Sequence, residues 1–214
     1  MKTTKIILLF ALTLIMSCSN EDDSPTISSP SVTYASTNLE ALFSQIGNSA
    51  APNVNWNGNQ GSFSLASTTE GLNINSTSGV INWTKMLPIG NHNVQVIATN
   101  SSGQTTINLT INNPFQGEFI GDYDSFNYFS LNFNSNGTIN IKANDESNPS
   151  LASGTWALTG NNILINYSYD NGDDYSLNGT LSQTPTQASL SGDWFYDFDA
   201  VPANQSGIYS VSLQ

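Results

Sequence analysis

From Phe115 onward the chain breaks into eight short runs in which apolar residues recur at every second position, with turn formers between them. The runs are 118–123, 128–133, 138–142, 154–158, 163–169, 175–181, 188–194 and 207–213. Breaks fall at Asn134-Ser135-Asn136-Gly137, Gly160-Asn161-Asn162 and Asp170-Asn171-Gly172-Asp173, all of which favour tight turns. A period of two marks a strand with one buried face. Eight such strands joined by short turns predict an up-and-down antiparallel sheet. Eight is also the number that closes into a small barrel and leaves no exposed edge.

Internal similarity within this half agrees with that expectation. Gly121-Asp122-Tyr123, Gly154-Thr155-Trp156 and Gly192-Asp193-Trp194 share a Gly-x-aromatic pattern, and Asn136-Gly137-Thr138 matches Asn178-Gly179-Thr180. A glycine two places before a large ring eases sheet curvature and lets the ring cover bare backbone. Residues 114–214 resemble the lipocalin-like β-barrel domains of bacterial lipoproteins, with Gly121-Asp122-Tyr123 in place of the opening Gly-x-Trp of lipocalins. An eight-stranded barrel either holds a small ligand in its lumen or is filled by its own side chains. Strands this short also predict an interior filled or nearly filled by Leu131, Phe133, Ile139, Ile141, Trp156, Leu158, Leu177 and Trp194.

Residues 31–113 show the same alternation in longer hairpins. Residues 71–75 turn through Ser76-Thr77-Ser78-Gly79 and return as 80–83, while 93–98 and 106–111 form a second pair. Val94, Val96 and Ala98 would share one face, and Ile107, Leu109 and Ile111 another. The string from Gly71 through Pro88-Ile89-Gly90 to Gly103 resembles the immunoglobulin-like, cadherin-like repeats of bacterial surface proteins. This implies an immunoglobulin-like β-sandwich acting as a spacer or adhesive module. Some cadherin-like relatives bind calcium through aspartates at module junctions; this chain has Asn100 and Asn112-Asn113 there, and neutral amides make a weak calcium site. Asn112-Asn113-Pro114 marks the boundary between the two halves.

The N-terminus differs from everything after it. Lys2 and Lys5 precede eleven residues, Ile6 to Met16, apolar except for Thr13, a signal with a hydrophobic region too short to span a bilayer. Ile15-Met16-Ser17-Cys18 resembles the lipobox of bacterial lipoproteins. The resemblance implies cleavage after residue 17 and attachment of Cys18, the only cysteine, to diacylglycerol. Residues 18–30 form an acidic tether whose Glu21-Asp22-Asp23 resembles the export signal of surface lipoproteins. The expected location is the outer membrane, lipid-anchored and facing outward, with the membrane itself as a partner.

Charge narrows the remaining partners. After cleavage Lys85 and Lys142 face sixteen acids, a formal charge of −14, so nucleic acid is excluded as a partner. One histidine, His92, and no second thiol leave no serine or cysteine triad and no ordinary zinc site. No cofactor is expected and no catalytic residue is assigned. Asp170, Asp173 and Asp174 crowd one turn and are the weak candidate for calcium. Asp193, Asp197 and Asp199 cluster near another, and opposed carboxylates would permit glycoside hydrolysis. The candidate binding residues are Trp156, Trp194, Phe195, Tyr196 and Phe198, aromatic rings beside amide and carboxylate groups that suit a neutral glycan or another small ligand. The sequence therefore points to a non-catalytic surface lipoprotein that presents a barrel, with an aspartate-based hydrolase and a purely structural or adhesive component as alternatives.

Overall fold

The computed structural model describes residues 28–214. The signal 1–17, Cys18 and most of the tether lie outside the described residues. Regular structure is β throughout, apart from one 3-10 turn at Pro202–Asn204.

The first half holds nine strands. β1 (Ser31–Thr33) pairs with β4 (Asn53–Asn55). β2 (Asn38–Glu40), β9 (Gly103–Asn113), β8 (Gly90–Asn100) and β5 (Ser62–Leu65) form a four-stranded sheet in that order. β3 (Gly47–Asn48), β7 (Ile81–Trp83) and β6 (Leu72–Ile74) form a three-stranded one. The pairings are antiparallel except β2 with β9. Both expected hairpins form, with Leu72 opposite Trp83 and Val94 opposite Leu109. Val94, Val96, Ala98, Leu109 and Ile111 share one buried cluster with Ile81 and Trp83, so the two sheets close on a common core. Trp56 is half-buried against Phe63, ring centroids 5.1 Å apart, and the His92 ring nitrogen Nε2 lies 2.7 Å from the Pro88 carbonyl.

The second half is a closed barrel. Its strands are β10 (Gly117–Tyr123), β11 (Asn127–Phe133), β12 (Thr138–Asn144), β13 (Ser150–Thr159), β14 (Asn162–Tyr169), β15 (Asp174–Gln183), β16 (Ala188–Tyr196) and β17 (Gln205–Leu213). Each pairs antiparallel with its sequence neighbours, and β10 closes on β17. Phe119, Leu131, Ile141, Ile165, Leu177 and Leu190 point inward and are fully buried. Each contributes roughly 1.5–3 kcal/mol on transfer from water. The intervening outward positions are mostly Ser, Thr and Asn, the reverse of the outward apolar band of a membrane-spanning barrel.

The Gly-x-aromatic repeats have a steric cause. A Cβ at Gly154 or Gly192 would stand 2.0 or 2.1 Å from the carbonyl oxygen of Asn166 or Asn178 on the adjacent strand, so tight curvature demands glycine there.

Only Pro114, Phe115 and Gln116 separate β9 from β10, and the two halves pack together. Phe43, from the first half, is 2% exposed and belongs to the barrel's core, with its ring 5.1 Å from Phe115 and 6.4 Å from Phe119. Gln183 Nε2 donates to the Leu87 carbonyl at 3.1 Å and also to that of Lys85. The Lys85 ammonium donates to the Thr186 carbonyl at 2.7 Å. Asn113, buried at the joint, donates to the carbonyls of Leu87 and Pro88. The first half thus seals one end of the barrel.

Candidate functional site

The opposite end of the barrel stays open. The expected filling fails there but holds through the middle of the barrel, with Leu131, Ile141, Ile165 and Leu177, and at the sealed end, with Phe115, Phe119, Phe133 and Trp156. At the other end lies a cavity of about 580 Å³, within the range of small-molecule sites. Its wall is built from Tyr123, Phe129, Tyr167, Tyr169, Tyr175 and Trp194, on five strands. All continue the inward phase of those strands past the point where aliphatic residues stop. Their rings touch in series: Phe129 to Tyr123 at 5.4 Å, Tyr123 to Trp194 at 6.2 Å, Trp194 to Tyr175 at 6.1 Å and Tyr175 to Tyr167 at 5.7 Å.

Polar groups sit around this aromatic wall. The Tyr123 hydroxyl donates to the Asn144 side chain, and Trp194 Nε1 donates to Asp124 Oδ1 at 3.0 Å. Tyr167 is only 5% exposed, lines the cavity, and its hydroxyl has no hydrogen-bond partner among the described residues. Burial raises its phenol pKa, with the Tyr169 and Tyr175 phenols adding to the shift. Burial likewise pushes Tyr169 up to about 12. Tyr123 and Tyr175 are raised as well, first by burial and then by the carboxylates of Asp124 and Asp173 respectively. The wall is therefore uncharged at neutral pH and carries phenolic hydroxyls able to donate or accept.

The four loops at this end, 124–126, 145–149, 170–173 and 197–204, carry seven acidic residues and no basic one. They also hold Asp124, Ser125, Asp197, Asp199 and Ala200 at positive φ, which costs energy in residues other than glycine. Hydrogen bonds fix the longest loop: the Ser176 hydroxyl donates to the Asp197 carbonyl at 2.7 Å, and Asn166 Nδ2 donates to Asp199 Oδ1 at 2.9 Å.

The residues singled out from the sequence separate into distinct places. Trp194 lines the cavity, and Tyr196 stands beside it, half exposed, its ring 5.3 Å away. Phe198 is exposed on the 197–204 loop. Phe195 follows the inward Trp194 and so by strand alternation faces the outside of the barrel, where it is buried in register with Ser176. Trp156 lies at the sealed end, its Nε1 shared between the carbonyls of Asn134 and Thr138 at 3.1 Å each. Asp170 and Asp173 reach the cavity edge, whereas Asp174 accepts from the Ser168 hydroxyl on the barrel wall. The three do not converge on a cation, and among the described residues no group of three or more His, Cys, Asp or Glu is placed to hold a metal ion. Among the described residues Asp170 and Asp173 are also the only carboxylates lining the cavity, and they share one turn rather than facing each other across it.

Tyr123, Phe129, Tyr167, Tyr169 and Tyr175 were not among the candidates from the sequence. The signal was present in the phase of Ile163, Ile165, Tyr167 and Tyr169, where inward aliphatics give way to inward tyrosines. No family model matches the sequence, and no curated protein matches it.

Proposed function

We propose that this chain is a non-catalytic, lipid-anchored surface protein in which an immunoglobulin-like module carries a lipocalin-like barrel whose open mouth binds a small ligand. The observation that carries the reading is the aromatic cavity of about 580 Å³ on an otherwise filled barrel. A barrel serving only as a structural unit gains nothing from an emptied end lined with tyrosine rings.

Placement along the molecule supports the same reading. Ser28 and Pro30 are tied to the β8–β9 hairpin tip, through Asn100 and Thr105, at the end of the first module remote from the barrel. An eleven-residue strand spans about 36 Å, and the barrel adds roughly 20 Å. A lipid on Cys18 would hold one pole at the membrane and leave the mouth at the other. Four-stranded and three-stranded sheets around one core support the immunoglobulin-like assignment, with the parallel β2–β9 pair as a departure from all-antiparallel sheets.

The test is a thermal-shift and tryptophan-fluorescence screen of the full chain against small molecules and neutral oligosaccharides, repeated on Tyr175→Ala. Ligands that stabilise the parent and lose their effect in Tyr175→Ala support the reading; ligands indifferent to the substitution, or none at all, overturn it. Turnover of any glycan would favour the hydrolase instead. Labelling with a radioactive fatty acid that disappears in Cys18→Ser checks the anchor.

A further inference from the structure

We infer that the cavity takes an organic ammonium cation with an apolar body, an inference that rests on the cavity being a binding site. Three independent features converge on that chemistry. Part of the wall is a run of touching aromatic rings on five strands, completed by Asn144, Pro149, Ser150 and Leu151, and the faces of Tyr and Trp attract cations more strongly than they attract neutral groups of equal size. The Tyr167 side chain lines the cavity and its hydroxyl makes no hydrogen bond to a described residue, so it can offer an oxygen lone pair to an N–H donor. The entrance is acidic on every loop and holds no compensating base, with Asp170 and Asp173 at its edge.

These features also discriminate against other ligands. Lys142, the barrel's one basic residue, is on β12 and lies 3.8 Å from Glu118 rather than at the entrance. An anion would meet a negative rim and find no cationic side chain in the lining. A neutral molecule could fill the aromatic wall but would gain nothing from the field at the mouth. A cation gains from both, first by accumulation near the acidic rim and then by contact with the rings. Because no carboxylate is buried in the wall, the cavity favours a cation whose charge is spread beside an apolar body over a small, strongly hydrated metal ion.

Isothermal titration of the full chain with four probes of one skeleton tests this: 4-tert-butylbenzylammonium, its N-trimethyl form, 4-tert-butylbenzyl alcohol and 4-tert-butylbenzoate. The expected result is that the primary ammonium binds about tenfold tighter than the alcohol, with the carboxylate weakest. The advantage of the cation should shrink in high salt, and Asp170→Asn with Asp173→Asn should narrow it to about threefold. Tyr167→Phe should weaken the primary ammonium while leaving the trimethyl form unchanged, since only the first can donate to that oxygen. Equal or tighter binding of the alcohol or the carboxylate overturns the cation while leaving the cavity as a binding site. Absence of binding by every probe, or binding unaffected by Tyr175→Ala, overturns the binding site itself and the inference with it.

Discussion

The two ends of the barrel are built from the same strands and differ in almost every other respect. At the end facing the first module, the turns 134–137, 160–161 and 184–187 carry no charge, and Gly137 and Gly160 supply their positive φ without strain. Phenylalanines close that end, one of them, Phe43, contributed by the first half of the chain. At the far end, acidic loops in strained conformations surround tyrosines whose hydroxyls reach a cavity. Packing density stabilises the first end, and the second gives up that stabilisation to keep space open. A single alternating pattern thus serves two purposes, distinguished by which residue types occupy the inward positions near each end.

Substitutions can break or sharpen this contrast. Phe43→Ala should cause the largest loss, about 3 kcal/mol by denaturant unfolding, because it empties a buried ring from the barrel core. Tyr175→Ala at the open end should cost well under half as much, since its ring is only partly buried. Equal costs at both ends would mean that the open end is packed as tightly as the sealed one. Gly154→Ala comes next, at roughly 1–3 kcal/mol, from a Cβ driven against the Asn166 carbonyl.

The tyrosines give a pH signature of their own. In the unfolded chain they ionise near 10.0, whereas in the folded protein Tyr34 and Tyr169 hold their protons to about 12. The unfolded state therefore loses protons first, and stability that is full below pH 10 should be lost as pH rises towards 12. Ultraviolet titration of the phenolates alongside unfolding at each pH would show this, and Tyr169→Phe should flatten part of the slope. A stability curve level through that window would contradict the burial of these phenols. The smallest effect expected is for Lys85→Ala, under about 1 kcal/mol, because its bond to Thr186 is exposed.

Much of this architecture was legible beforehand. The eight barrel strands, the inward set from Leu131 to Trp194 and both hairpins of the first half follow from period-two alternation between turn formers, a local property of the chain. The site was less legible because a cavity is a property of the whole ring of strands. Trp156 and Trp194 occupy equivalent places in a repeated motif, yet one points into the sealed end and the other into the mouth, since β13 reaches its tryptophan near the sealed end and β16 near the open one. Phe195, by contrast, faces outward simply because it follows the inward Trp194 on the same strand.

The sequence alone determined the all-β character, the number and spacing of the barrel strands and the strongly acidic balance, because each is written in neighbouring residues. The tertiary structure decided that the barrel closes, that Phe43 from the first half of the chain packs into its sealed end, and that the tyrosines meet around an open cavity. Those outcomes depend on contacts between residues tens of positions apart, whose joint geometry exists only once the strands have paired.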